Sequence, residues 1–377
     1  MIKNTPPMGW NSWNTFGENI NEEIVLATAD KLIELGLDKA GYNYVVIDDC
    51  WALKQRDENG KLVCDPKKFP HGMRYLADKI HEKGLLFGMY SCSGFLTCAQ
   101  YPSSLDYEWI DAKTFAEWHV DFLKYDYCFK PSFIPGELLY RTMGLALANC
   151  GRDILFSACS WGADETHKWI RSTNSTIWRS TFDINDSFES IKSLLKAQIP
   201  ILPYGGKGCF NDIDMLVVGM HGQGNVGLTG CTDDEYALHF AAWSLLQSPL
   251  MIGCDLRKID ETSLNLLKNQ MLIDINRDEL CAQPFVFKTY EPQDEEAPAI
   301  ARYLANGDIA LGFFNLTDED RCWFFAPREL GLNLLSNKAL ELTDCLSGEK
   351  IYCDVMSVIS AKKHACRVFR AKVVDKK

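Results

Sequence analysis

Apolar residues come along this chain in short runs, and between the runs lie stretches whose apolar positions recur at helical spacing. A short apolar run suits a buried parallel strand and an amphipathic helix covers its face, so this alternation predicts βα units. Residues 8–13 form the first strand end. The helix after it starts at Asn21, carries Glu22 and Glu23 in its first turn, turns Ile24, Ala27, Leu32 and Leu35 inward, and stops before Gly36. Strands are then expected at 42–49, 85–92, 120–128, 154–161, 176–183, near 209–215 and at 249–255, with helices around 75–83, 111–118, 138–148, 186–197 and 234–246. Eight such units predict an α/β fold, a (β/α)8 TIM barrel over residues 1–284, with an active site at the C-terminal ends of the strands. A doubly wound open sheet is the structural rival, but no glycine-rich phosphate loop opens any of the helices.

After Pro284 the period changes to two. Runs at 285–290, 299–304, 309–314, 322–326, 350–355 and 364–369, with turns at Asn306-Gly307-Asp308 and Ser347-Gly348, predict a small antiparallel all-β C-terminal domain over 285–377.

In a barrel, the strand ends would put Trp13, Asp48, Asp49, Tyr90, Lys124, Asp126, Arg179, Asp183, Asp212 and Asp214 on one rim. Lys124 and Asp126, two apart on one strand, share a face, which keeps a carboxylate out of bulk water yet ionised. A nucleophile needs that environment, and a structural ion pair would show the same pattern. Two chemistries use several carboxylates in one mouth. A divalent cation could draw on Asp48, Asp49, Asp212 and Asp214, and glycoside cleavage needs one carboxylate nucleophile and one carboxylic acid. Lys124 and Arg179 put cations where a metal would sit, which favours the sugar reading. Trp10, Trp13, Trp51, Tyr90 and Trp161 fall at strand ends, where an aromatic face can stack on a pyranose, although each alone is more often core. A sugar-binding protein without turnover is the reading from another functional class.

Composition narrows the partners. The net charge of −12 leaves no basic stripe for nucleic acid, and no apolar run reaches the roughly 20 residues that span a bilayer. A small neutral substrate fits this balance. Fifteen cysteines, without metal-like spacing, read as mostly buried thiols of a reducing compartment. With no signal-like segment before Thr5, the cytoplasm is the expected location. No cofactor is implied. The 234–246 helix is apolar enough for a core or for a homo-oligomer interface.

Six motifs in order resemble glycoside hydrolase family 27, the α-galactosidase/α-N-acetylgalactosaminidase family. They are residues 5–13 (TPPMGWNSW), 47–51 (IDDCW), 69–72 (FPHG), 123–128 (LKYDYC), Trp178-Arg179-Ser180 with Asp183-Ile184, and 211–215 (NDIDM). The resemblance implies a retaining exo-hydrolase acting on short α-galactosides of the melibiose or raffinose type. Asp126 would be the nucleophile and Asp183 the acid/base, their carboxyls about 5 to 5.5 Å apart, with Asp183 kept protonated in the free enzyme by nearby negative charge and partial burial. It assigns Asp48 and Asp49 to the 4- and 6-hydroxyls, and Lys124, Arg179, Trp13, Tyr90, Cys98 and Asp214 to the rest of the pocket. Cys98 and Cys128 match a family disulfide, whereas Cys50 lacks its partner because Phe16-Gly17-Glu18 stands where that cysteine would be. In the loop after strand five, Cys159 and Trp161 resemble galactosidases that fill the space an acetamido group needs. Ser160 and Ala163 match the small pair of N-acetylgalactosaminidases, which leaves that sugar as the alternative.

Overall fold

The computed structural model describes residues 5–290, 295–333 and 335–376. Its first part is an eight-stranded parallel sheet: β1 (Met8–Asn11), β2 (Tyr44–Val46), β3 (Leu86–Cys92), β4 (Phe122–Asp126), β5 (Leu155–Cys159), β6 (Ile177–Arg179), β7 (Phe210–Asp212) and β8 (Leu250–Ile252). The spatial order is β7-β6-β5-β4-β3-β2-β1-β8, so the sheet curls with β7 and β8 at its ends. Those ends meet through Leu216, just past β7, which bridges Ile252: its N–H donates to Met251 O at 2.7 Å and its carbonyl accepts from Gly253 N at 2.9 Å. The TIM-like barrel therefore closes beyond a strand end.

Helices on the outside link the strands. Glu22–Glu34 starts where Asn21 accepts from Ile24 N, as its capping residue and acidic first turn predict. Gly72–His81, Glu108–Glu117, Gly136–Ala148, Phe188–Gln198 and Asp233–Leu245 follow. The strands are shorter than their apolar runs, since the end residues of each run leave the ladder to form the rim loops. Two helices that periodicity did not reveal, Glu261–Leu267 and Gln270–Asn276, come after β8.

Alternation along each strand sorts the side chains. Tyr44, Val46, Phe122, Leu155, Ile177 and Phe210 fill the barrel lumen, while Val45, Leu123, Phe156 and Trp178 pack outward under the helices. This apolar plug supports the charged groups above it. On β4 the inward row runs Phe122, Lys124, Asp126, from plug to rim.

The C-terminal part has a six-stranded antiparallel sheet in the order β14-β13-β16-β11-β10-β9, and a β12/β15 pair. These are β9 (Phe285–Val286), β10 (Ala299–Tyr303), β11 (Ile309–Phe314), β12 (Arg321–Phe325), β13 (Lys338–Asp344), β14 (Lys350–Cys353), β15 (Ser357–Ala361) and β16 (Cys366–Asp375). Trp323, Phe325 and Ile359 of the pair pack with Leu311, Phe313, Leu340 and Phe369 of the sheet. The other sheet face, with Ala310, Phe314 and Val368, joins the barrel core against Asp233–Leu245. That helix, buried almost all round, is thus core within one chain. Strand β13, absent from the sequence reading, is Lys-Ala-Leu-Glu-Leu-Thr-Asp, a composition that favours helix. Pairing on both edges, with β14 and β16, overrides it.

Candidate active site

Trp13, Asp48, Asp49, Tyr90, Cys98, Lys124, Asp126, Arg179, Asp183 and Asp214 line one cavity at the C-terminal end of the barrel, together with Asn14, Ile184, Met215 and Val226. Ten sequence-derived candidates, spread over about 200 residues of chain, thus converge on a space walled by different strand ends. Asn14 and Met215 adjoin residues already singled out. Val226, in the long loop after β7, carries no signal of its own.

Asp126 is buried at the top of β4. Its Oδ1 accepts from Tyr127 N at 2.9 Å and its Oδ2 from the Tyr90 hydroxyl at 3.1 Å. Burial pushes its carboxyl up to about 6; the nearby Lys124 ammonium opposes the rise, and the Asp183 and Asp48 charges add to it. Lys124 shares the inward face with Asp126 but donates to Asp48 Oδ2, at 2.8 Å. Although burial alone would lower the ammonium, Asp48 and the other acids hold it well above its ordinary range. Asn11 Nδ2 also donates to Asp48 Oδ2, at 2.9 Å. Asp49 accepts from Cys50 N at 2.7 Å and Ala99 N at 3.0 Å, and burial raises it.

On the facing wall, Arg179 at the end of β6 forks between two acids. Its Nη2 donates to Asp183 Oδ1 and its Nη1 meets Asp214 Oδ1, both at 2.8 Å. Asp214 Oδ2 accepts from Ile184 N at 2.7 Å, tying the backbone next to Asp183 to the same carboxylate. Asp214 takes a left-handed backbone (φ 85°), a strained geometry for a non-glycine residue that the Arg179 pair and three backbone N–H bonds hold in place. Burial pushes it up to about 7 against the pull of Arg179.

Asp183 corrects an expectation. Its side chain is 69% exposed and paired with a guanidinium. Against what desolvation it has, the Arg179 and Lys124 cations hold its carboxyl below the usual range, so it is ionised rather than protonated in the free protein.

Several aromatic candidates fall away. Trp10 and Trp51 are buried, their indole N–H groups donating to Cys254 O and Tyr90 O at 3.0 Å each, so both pack rather than face a ligand. Trp161 sits edge-on against Tyr127, outside the cavity lining. Cys159 is buried behind Arg179, with its sulfur 3.9 Å from Nη1. Ser160 is fully buried, its hydroxyl 2.5 Å from that of Thr166. Asp212 is outside the cavity lining and accepts from Asp214 N at 2.9 Å. Cys98 and Cys128 are joined by a disulfide beside the nucleophile candidate, and Cys50 is a free thiol. The tetrad of acids proposed as an alternative metal centre is instead occupied by protein donors: Lys124 and Asn11 on Asp48, Arg179 on Asp214, and backbone N–H groups on Asp49.

Residues 5–278 match the family described as α-galactosidase A. The chain belongs to that family, glycoside hydrolase family 27. It is 44% identical to an α-galactosidase of Cyamopsis tetragonoloba over 280 residues, which is 74% of this chain and 66% of that one, just under two thirds. It is 38% identical to α-galactosidase 2 of Arabidopsis thaliana over 368 residues, 97% of this chain and 89% of the relative. Among family 27 structures, an α-galactosidase of Saccharomyces cerevisiae superimposes with a TM-score of 0.90 at 29% identity, covering 98% of both chains. Five of the six motifs contribute residues to this cavity, from Trp13 to the Asp214 bend, whereas residues 69–72 lie outside its lining. Among the described residues no helix is long and apolar enough to cross a membrane.

Proposed function

We propose that this family 27 chain is an exo-acting α-galactosidase that releases terminal galactose by double displacement with retention, using Asp126 as nucleophile and Asp183 as acid/base. The observation that carries this reading is the contrast between two acids of one cavity, Asp126 buried and hydrogen-bonded, Asp183 exposed at the mouth. Asp126 attacks the anomeric carbon while Asp183 gives its proton to the departing glycosidic oxygen. In the second half Asp183 takes a proton from water, and the hydroxyl displaces Asp126. The free Asp183 is ionised, so its proton must be acquired in the complex. A sugar that covers this exposed carboxyl removes it from water and favours the protonated form.

Asp48 and Asp49, rigidly held at the cavity floor, are placed to accept from sugar hydroxyls, and Trp13 supplies an apolar wall. Relatives named α-galactosidase, and a Saccharomyces cerevisiae relative solved with raffinose, support galactose and raffinose-type substrates. The thirteen free thiols support a reducing compartment, in which the Cys98–Cys128 bridge would be the exception. Asp126→Asn should lower turnover of an aryl α-galactoside by several orders of magnitude, and NMR of the first product should show α-galactose. Near-normal turnover, or β-galactose as first product, would refute the proposal. The matching N-acetylgalactosaminide, assayed in parallel, tests the sugar.

A further inference from the structure

At the opposite end of the barrel, where β3 and β4 begin, two histidines and a carboxylate converge. Asp78 and His81 lie one turn apart near the end of the Gly72–His81 helix, and His119 follows the Glu108–Glu117 helix. One ligand atom from each of the three lies within 4.8 Å of the others. All three are partly exposed, so an ion could enter and keep water.

Outer partners orient each of the three side chains. His81 Nε2 is 2.6 Å from Asp121 Oδ2, which leaves Nδ1 as the ring's free ligand. Asp121 is itself fixed by Phe87 N at 2.9 Å and by Arg152. Asp78 Oδ1 faces His119 Nδ1 at 2.9 Å, and Arg74 Nε donates to both oxygens of Asp78, at 3.2 Å to Oδ1 and 2.9 Å to Oδ2, so an ion would take Oδ1 from that guanidinium and leave it on Oδ2. Zinc bonds of about 2.0–2.1 Å to nitrogen and oxygen imply ligand-to-ligand edges of roughly 3.4 Å, so the 2.9 Å Asp78–His119 contact would open by about half an ångström and the longer edges would shorten by at most about 1.4 Å. His119 also occupies a left-handed position (φ 62°) that closes its helix, where glycine would be less strained.

We propose that Asp78, His81 and His119 form a divalent transition-metal site of the zinc class, open to one water, that clamps two neighbouring barrel helices. Because it lies on the face away from the cavity, its role is stability rather than chemistry.

Chelator-stripped protein, titrated with Zn2+ by calorimetry and with Co2+ by visible absorption, tests this. One equivalent should bind, with ligand-field bands and no thiolate charge-transfer band, and Zn2+ should raise the melting temperature. His81→Ala should weaken binding at least tenfold. His119→Gly relieves the strained backbone, so it should fold as well as the parent yet lose the zinc-induced rise. Absence of binding, a thiolate spectrum from the free cysteines, or an unchanged zinc response in His119→Gly would overturn the proposal.

Discussion

Tyr90→Phe is the sharpest probe of how the buried Asp126 stays ionised. The substitution removes one hydroxyl and keeps the ring, including its packing under Lys124, whose ammonium lies 5.2 Å from the ring centroid. What disappears is the 3.1 Å bond to Asp126 Oδ2, together with a 3.4 Å contact to the Cys98 sulfur, leaving the 2.9 Å backbone bond to Asp126 Oδ1. A hydrogen bond to a charged group contributes about 1.5–3 kcal/mol, and the length of this one places it near the lower figure. At about 1.36 kcal/mol per pH unit, that is a rise of about one unit. Asp126 lies at about 6 in the intact protein and Asp183 lies below it, so the one-proton form that reacts is bounded on its alkaline side by Asp126, and the alkaline limb of kcat/KM, which reports the free enzyme, should move toward about 7. At pH 5 the ionised fraction then falls about tenfold relative to the parent, while near neutrality it changes far less. Initial rates on an aryl α-galactoside from about pH 4 to 8, with folding checked by circular dichroism, give the result. A limb displaced by less than about 0.3 units would show that the Tyr90 hydroxyl does not stabilise the charged nucleophile, and the reasoning would fail.

Three further outcomes follow from the same geometry. If substrate supplies the burial that protonates Asp183, the alkaline limb of kcat should lie at higher pH than that of kcat/KM; coincident limbs would contradict this. Lys124→Met leaves Asp48 buried without its cation and should destabilise the fold by about 3–5 kcal/mol in urea titrations, so a loss below about 1 kcal/mol would mean the pair is not structural. Burial lowers His239 to about 3, so between that value and an unfolded value near 6.5 the unfolded chain binds the extra proton and stability falls as pH falls, by about 1.4 kcal/mol per unit. His239→Gln can still accept from Val217 N and should flatten that acid slope, and an unchanged slope would refute the assignment.

Local periodicity and motif order were enough to read the alternation of strand and helix, the rim carrying the acids, and the shared face of Lys124 and Asp126, because each depends on residues close together in the chain. The identity of Lys124's partner was not readable. Asp48 lies 76 residues away, and only barrel closure brings it to the ammonium. The same holds for Trp10 and Trp51, which look like sugar platforms at their strand ends until folding covers them with Cys254 and Tyr90. Strand β13 looks helical until two neighbours claim its edges. Asp183 is the most instructive case: its nearness to other acids suggested a retained proton, and the fold instead gave it solvent and a guanidinium. Spacing determines which face a side chain occupies, whereas its charge state depends on burial and on partners brought from distant parts of the chain.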